Sequence, residues 1–253
     1  MRPARYLAPL ALLALWQGLS WAGLIPPWRL PSPIAVAAGF GELALRGMPP
    51  GYTLGGHLAM SLYRVAWGFG LAAAVGVPLG LVMGWSRRLR VVVEPVVEML
   101  RPVPPLAWIP ISILWFGIGL PSAAFIIFLG AVFPILLNTT AGVRAVSPTL
   151  VEAVRTLGAG RGQVVTKVLL PGALPHIFTG LRIGLGIGWM SLVAAEFTGV
   201  KSGYGLGYMI MTARDIQRPD LIIAGMAVIG ITGLAMDALL RLARRRLLPW
   251  RQD

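Results

Sequence analysis

Few residues of this chain can do chemistry, and the notable ones interrupt long apolar runs. They are ionisable, and they are Arg64, Glu94, Glu98, Arg101, Glu196 and Asp237. An ionisable side chain in an apolar environment is a candidate for an ion or substrate pathway, because burying its charge costs free energy. Three of them, Glu94, Glu98 and Asp237, lie near the ends of runs, where solvation or pairing with neighbouring arginines explains them more simply.

Arg101 lies beside four prolines between Pro102 and Pro110. Each proline removes a backbone donor and disturbs the helical ladder, so the freed carbonyls need partners in protein or along a water-lined path. A cation in such a distorted, inward-facing segment suits an anionic solute. We therefore predict that Arg101 and Pro104 lie on a solute path, together with Glu196 in a later apolar segment.

The chain offers no basis for catalytic, metal or nucleotide sites. It has no cysteine, and its two histidines, His57 and His176, are distant in sequence and predicted at opposite ends of the fold. Neither Lys167 nor Lys201 stands in the G-x-x-x-x-G-K-[ST] pattern that a phosphate-binding loop requires. We therefore predict a protein that is not an enzyme and binds no cofactor, so any energy from ATP must come from a partner.

The elements that position these residues are apolar helices. Hydrophobic residues make up 57% of the 253 residues, charged residues only 12%, and the mean hydropathy is +0.77. A soluble domain has roughly 25% charged residues, so this composition predicts an integral membrane protein. We predict an all-α, polytopic fold with six membrane-spanning helices near residues 6–26, 58–84, 92–118, 122–142, 177–199 and 221–240.

The N-terminal segment has a second interpretation. Two arginines, an apolar core and following small residues are also typical of a cleaved signal peptide. The apolar run is long for a signal peptide, and five more predicted spans follow, which favours a membrane-spanning helix. Between Pro26 and Gly56 we expect one short helix on the outer surface.

Basic residues are distributed unevenly over the predicted loops. With the N-terminus inside, inner segments hold 15 basic residues, Arg182 among them, and outer segments hold five. This asymmetry follows the positive-inside rule and predicts that both termini are cytoplasmic. The net charge of +13 therefore reflects topology and contact with lipid rather than nucleic-acid binding.

Two helices carry glycines at four-residue spacing. They are Gly76, Gly80 and Gly84 in the second predicted helix and Gly180, Gly184 and Gly188 in the fifth. Glycines at this spacing share a helix face and allow another backbone to approach closely. The two ridges favour a tightly packed bundle or a subunit interface.

The largest predicted cytoplasmic connection, residues 143–176, contains two short helices. Ser147 and Pro148 are typical of a helix start, with a hydroxyl cap, and Gly158 is typical of a helix end. A second helix is expected from about Gln163 to Leu170, stopped by Pro171. The first helix places Leu150, Val154 and Leu157 on one face, which is consistent either with a tie to the bundle or with docking of a cytoplasmic partner.

The spacing E-A-V-x3-G-x9-V-L-L-P from Glu152 to Pro171 resembles the EAA signature of the membrane subunits of binding-protein-dependent ABC importers. Val154 stands where the family usually has Ala, and Val168 where it usually has Ile; both keep an apolar side chain. The stretches RPVPPLAWIPISILWFGIG and VLLPGALPHIFTGLRIGLGIGWMSLVAAE are similar to its nitrate, sulfonate and taurine branch. The resemblance covers roughly residues 50 to 245.

The resemblance implies the type I importer permease fold and a transport function. The ATPase-coupling helix would present Glu152, Ala153, Val154, Leu157 and Gly158 to a separate ATP-binding subunit, present in two copies with ATP bound there. A second copy of the permease would form a homodimer with it, as is common in this branch. A periplasmic binding protein would complete the importer in the bacterial cytoplasmic membrane. The cargo would be a small anion of the sulfonate, taurine or nitrate class.

The resemblance also divides the chain. Residues 1–57 would form the first helix and an outer segment, residues 58–245 the permease core with the coupling loop at 143–176, and residues 246–253 a basic cytoplasmic tail. The alternative is a self-sufficient secondary transporter or channel with Glu196 and Asp237 as ion-coupling carboxylates. The EAA spacing and the lack of an obvious inverted repeat count against it. No nucleophile and base stand in an arrangement typical of a membrane-embedded hydrolase.

Overall fold

A computed structural model describes residues 4–198 and 204–248, and within these ranges every regular element is helical. A 3-10 turn, Pro105–Trp108, precedes α5, and a π-helical turn, Val165–Leu169, joins α8 to α9. The helices are α1 (Ala4–Trp21), α2 (Pro33–Leu45), α3 (Leu54–Trp85), α4 (Arg87–Leu100), α5 (Ile109–Phe116), α6 (Leu120–Arg144), α7 (Pro148–Thr156), α8 (Arg161–Val164), α9 (Leu170–Thr198), α10 (Leu206–Asp215) and α11 (Pro219–Leu247).

Within the described ranges, four helical segments are long and apolar enough to cross a membrane: α3, α6, α8 with α9, and α11. A fifth crossing is formed if α4 and the segment Pro105–Phe116 count as one span, bent by 85°. The prediction of one continuous helix over 92–118 is therefore wrong, because the prolines after Arg101 break the ladder. The first predicted span corresponds to α1, whose described apolar part, Leu7–Trp21, is shorter than the others.

The two glycine ridges pack on the same helix, α6. On α3, a Cβ added at Gly80 would lie 2.7 Å from the Thr139 side chain and 2.8 Å from the Leu136 carbonyl oxygen of α6. On α9, a Cβ added at Gly184 would lie 2.9 Å from the Ala131 carbonyl oxygen of α6. Of the two interpretations of the ridges, the tightly packed bundle is therefore the one that these contacts bear out.

The chain divides into two compact units, Met1–Leu62 with Lys201–Thr232, and Tyr63–Val200 with Gly233–Asp253. In the first, side chains of α3 cap the start of α10. The His57 ring accepts a hydrogen bond at Nδ1 from the Gly205 N–H (2.9 Å), and the Ser61 Oγ accepts one from the Leu206 N–H (2.9 Å). These bonds satisfy backbone donors that the first turn of a helix leaves without an intrahelical acceptor.

The segment after Gly205 forms helix α10, with Leu206, Met209 and Ile210 buried. Its exposed polar part is the tip from 214 to 217. Beside this tip, Arg218 bonds Asp220 (2.7 Å) and Glu42 of α2 (2.8 Å). Hydrogen bonds first to Asp220 and then to Glu42 raise the pKa of the Arg218 guanidinium above its ordinary value, so the pairing favours the charged form of Arg218.

Candidate functional site

Helix α7 ends in a complete Schellman motif. The Ala159 N–H donates to the Val154 carbonyl (3.1 Å), and the Gly158 N–H donates to the Arg155 carbonyl (2.9 Å). Gly158 has φ of +86°, in the region that side-chain-bearing residues rarely adopt. The glycine stop predicted from sequence is confirmed, and its cause is backbone conformation, since no atom lies within 4 Å of an added Cβ.

The two faces of α7 differ in what they contact. Val151 packs against the buried cluster that includes Val143 and Val164, and Val154 is half-buried. On the other side, Leu150 is exposed and Leu157 is 85% exposed. The bundle therefore contacts α7 through Val151, whereas Leu150 and Leu157, two of the three residues predicted to share a face, are uncovered.

The other residues predicted for this site, Glu152 and Ala153, are exposed beside the two leucines. Ser147 makes no side-chain cap hydrogen bond, so the hydroxyl cap expected at the start of α7 is absent, although Pro148 does occupy its first turn. Leu157 is thus an apolar side chain that is largely exposed, and exposed charged residues lie near it on the same helix. This combination is typical of a surface that another protein covers.

A basic cleft of about 610 Å³ adjoins α7. The Arg155 guanidinium lies 5.1 Å from the centre of the Trp85 ring at the end of α3, a cation–π contact that ties α7 to the bundle. Arginines dominate the rest of the cleft, with one acid, and the charged lining residues are Arg87, Arg88, Arg144, Arg155, Arg161 and Glu152.

Pro171 does not end the second short helix, contrary to the sequence prediction. Helix α8 passes through the π turn into α9, and the Leu170 N–H donates to the Val165 carbonyl five residues earlier. A π turn shifts the hydrogen-bond register, so the donor that Pro171 lacks is lost without a break in the helix. The site helix α7 is thus joined to the long helix α9 by one short loop and a continuous helical segment.

Arg101 lies at the bend between α4 and the 3-10 turn and lines a cavity of about 440 Å³. Asn138 of α6 also lines it and donates from Nδ2 to the Pro134 carbonyl (2.8 Å). The remaining lining residues are apolar, proline or glycine, and no acid is among them. Pro105 borders this cavity, whereas Pro104 caps the 3-10 turn one residue earlier.

Glu196 lies apart from this cavity. Its Oε1 accepts a hydrogen bond from the Arg64 Nη1 at 2.6 Å, and the two side chains are 0% and 1% exposed. The pair joins α9 to α3 inside the bundle. Sequence reasoning marked both residues as ionisable groups in apolar helices but did not pair them, because 132 residues separate them.

Asp237 of α11 is paired with Arg182 of α9 and with Arg241 one helical turn later. The sequence analysis counted Arg182 with the basic residues of the inner segments, and the structure places it within α9. The missed signal is that Arg182 interrupts an otherwise uncharged stretch from Lys167 to Glu196.

Comparison with known proteins identifies the family whose pattern this chain carries. Residues 76–252 match the family described as binding-protein-dependent transport system inner membrane component. The chain is 42% identical to the taurine transport system permease protein TauC of Escherichia coli (strain K12) over 242 residues, covering 94% of this chain and 86% of that protein.

Two further comparisons agree. The chain is 41% identical to the putative aliphatic sulfonates transport permease protein SsuC of Bacillus subtilis (strain 168) over 247 residues, covering 98% of this chain and 87% of that protein. The solved structure of the MetNI methionine ABC transporter in inward-facing conformations matches with a TM-score of 0.54 at 25% identity, covering 74% of this chain and 92% of the matched chain.

Proposed function

The chain belongs to the binding-protein-dependent transport system inner membrane components, and from this membership we propose that it passes a small organic sulfonate across the cytoplasmic membrane. It is a multi-pass permease subunit of an ABC importer and not an enzyme. Its family implies an ATPase subunit and a solute-binding protein as partners. The sulfonate assignment rests on the relatives named for taurine and aliphatic sulfonates, and nitrate is the alternative anion.

The observation that carries the coupling proposal is the exposed side of α7. Leu157 is 85% exposed beside Glu152 and Ala153, while Val151 anchors the helix to the bundle. We assign Glu152, Ala153, Val154, Leu157 and Gly158 to coupling with the ATPase. Movement of α7 by the ATPase would reach α9 through α8 and the π turn, which are continuous with it.

The experiment that tests this function is purification of the tagged chain from its native membrane in mild detergent. We expect a second, ATP-hydrolysing subunit to co-purify, and we expect Leu157→Asp to release it. A chain that copurifies with no ATPase and moves solute in vesicles down an ion gradient would instead support the secondary-transporter alternative.

The remaining elements of the assembly follow from the resemblance and from the charge distribution. We propose a homodimer of this chain with two ATPase copies that bind ATP, both termini in the cytoplasm, and a binding protein that meets the outer face at the 214–217 tip. The last assignment is supported by the exposed Arg214, Asp215 and Gln217 at that tip. Domain assignments of 1–57, 58–245 and 246–253 remain part of this proposal.

Arg101 is the residue that we propose on the solute path. The described residues that line its cavity include one cation, one amide and no acid, so an anion entering it is attracted by Arg101 without a competing carboxylate from these residues. Pro104 contributes by holding the bend. Glu196 remains a predicted path residue, although its complete burial against Arg64 favours a structural role.

Arg101→Gln is expected to lower the maximum rate of sulfonate uptake about tenfold or more, because Arg101 is the one cation among the described residues that line the cavity. Uptake of labelled taurine by cells or proteoliposomes that contain the complete importer measures this effect. Arg246→Gln, on the exposed end of α11, is the matched control and should transport normally. Undiminished uptake by Arg101→Gln would remove Arg101 from the path.

A further inference from the structure

A second basic groove lies between α9 and α11. It has a volume of about 520 Å³, and its charged residues are Arg182, Asp237, Arg241 and Arg244. The walls are apolar or small, including Phe178, Ile183, Gly186, Trp189 and Leu240. Among the described residues that line the groove, three are arginines and one is an acid, so cations outnumber carboxylates there.

The arginines are held in place yet remain accessible. Arg182 bonds Asp237 through Nε and through Nη2, the latter at 3.2 Å from Oδ2, and Arg241 bonds the same carboxylate through Nη1. The Arg182 and Arg241 side chains are still 53% and 45% exposed. A guanidinium has five N–H donors, so each arginine keeps donors that can bind an oxyanion.

The depth of this network requires a polar environment. Asp237 follows the 16-residue uncharged run Leu221–Met236, which spans about 24 Å in a helix, against about 30 Å for the hydrocarbon core. Half-exposed arginines at this depth are costly against lipid tails, and such residues face protein or a water-filled cavity. The charged residues of the groove therefore require contact with water, either at the membrane interface or in an aqueous cavity.

The groove adjoins the Arg101 cavity. Ile183, on the exposed edge of α9, lines both of them. The two cavities thus lie on either side of one stripe of α9. An anion that moves along this stripe would pass between Arg101 and the arginines of the groove.

From this geometry we propose that Arg182 and Arg241, oriented by Asp237, form a second binding station for the anionic group of the transported solute. The inference rests on the proposed permease function and extends it to residues of α9 and α11. Arg182 binds the sulfonate oxygens, and Asp237 has two effects. It fixes the Arg182 fork, and it repels the solute, so binding stays weak enough for release.

The absence of cysteine allows a test that does not depend on knowing the cargo. Gly186 lines the groove, and an added Cβ there meets no atom within 4 Å, so Gly186→Cys introduces one accommodated thiol into the chain. In the purified complex in nanodiscs, its modification rates with sulfonatoethyl and trimethylammonioethyl methanethiosulfonate are followed by mass spectrometry of this chain. The ratio of the two rates is divided by the ratio for a free small thiol.

We expect the normalised ratio to favour the sulfonate reagent. Adding Arg182→Gln should lower the ratio about threefold or more, and adding Asp237→Asn should raise it by a similar factor, since each removes one charge of opposite sign near the thiol. The neutral reagent methyl methanethiosulfonate should react in all variants, which controls for folding and access. Any difference in its rate reports the ionised fraction of the thiol, and this fraction cancels in the ratio of the two charged reagents. The double variant Arg182→Gln/Asp237→Asn, which removes one charge of each sign, should fall between the two.

Two results would overturn the proposal. A cysteine that reacts with neither charged reagent would mean that the groove is not aqueous. Equal ratios in all variants would mean that the arginines do not attract the anion. If the thiol becomes reactive only after lipid removal, and Arg182→Gln loses bound phospholipid phosphorus, the oxyanion is a lipid headgroup and the solute assignment is wrong.

A transport measurement separates this inference from the proposed function. In the importer with wild-type sequence, ATP-dependent uptake of labelled taurine or nitrate tests the permease assignment itself. If that uptake is present and Arg182→Gln retains the ATPase subunit, we expect its maximum uptake rate to fall at least fivefold. Normal uptake by this variant would contradict the second station and leave the permease assignment intact.

Discussion

Replacing Gly158 by aspartate is expected to abolish ATP-driven uptake while leaving the chain in the membrane. Gly158 has φ of +86° and closes the Schellman motif of α7. A residue with a Cβ at such a φ costs about 1–2 kcal/mol, which the exposed loop can relieve by changing its path. The change would move Leu157 and add a negative charge beside the proposed ATPase contact.

The loop offers its own control for this prediction. Gly160 is also exposed and has open space around an added Cβ, but its φ is −70°. Gly160→Asp therefore adds the same charge without the backbone strain and should retain most of the uptake. Gly158→Asn has the shape of aspartate without its charge and tolerates positive φ better than most residues, so it should give an intermediate rate.

Uptake assays with the amount of membrane-inserted chain quantified by immunoblot check these three variants. Co-purification of the ATPase reports whether loss of uptake comes from lost docking or from docking without coupling. Normal uptake by Gly158→Asp would remove the coupling role of this loop. Equal losses in Gly158→Asp and Gly160→Asp would assign the effect to charge instead of backbone geometry.

Breaking the pair between Arg64 and Glu196 is expected to give the largest loss of stability. Both side chains are at most 1% exposed, and their atoms lie 2.6 Å apart. Removing one partner of a buried ion pair typically costs about 3–5 kcal/mol, because the other charge stays in a low-dielectric environment. Both single variants, Arg64→Met and Glu196→Leu, should therefore unfold at lower temperature.

The two single variants should differ in severity. A carboxylate can be neutralised by a proton, whereas a guanidinium keeps its charge at any accessible pH. We therefore expect Glu196→Leu to be less stable than Arg64→Met. The double variant should recover much of the loss, since buried ion pairs are often replaceable by apolar residues of similar size.

Size-exclusion profiles after heating in detergent give the temperature at which half of each variant is lost. Uptake by the double variant then decides the role of Glu196. A stable double variant that transports normally would make the pair structural, whereas a stable one that does not transport would return Glu196 to the solute path. Equal stability of the single variants and the wild-type chain would contradict the energetic argument.

The amino-acid sequence by itself determined the membrane class and the helical fold, and it located the segment that we propose for coupling. These properties depend on local quantities: the length of apolar runs, the spacing of Glu152 and Gly158, and the glycine ridges. A helix must be apolar over enough residues to cross a membrane, and the residue at position 158 must tolerate a positive φ. Both requirements act within one segment, so they can be recognised without knowing the tertiary structure. The match of residues 76–252 to the family of binding-protein-dependent transport system inner membrane components confirms the predicted family.

The tertiary structure alone decided which charged residues meet. Arg64 pairs with Glu196, and Arg182 pairs with Asp237, across separations of 132 and 55 residues. It also decided which side of α7 stays uncovered, because the bundle takes Val151 and leaves Leu157 exposed. The bend at Arg101 and the π turn before Pro171 depend in the same way on how freed backbone groups find partners. Such pairings are set by helix packing, and no periodicity within one segment encodes which neighbour a side chain will contact.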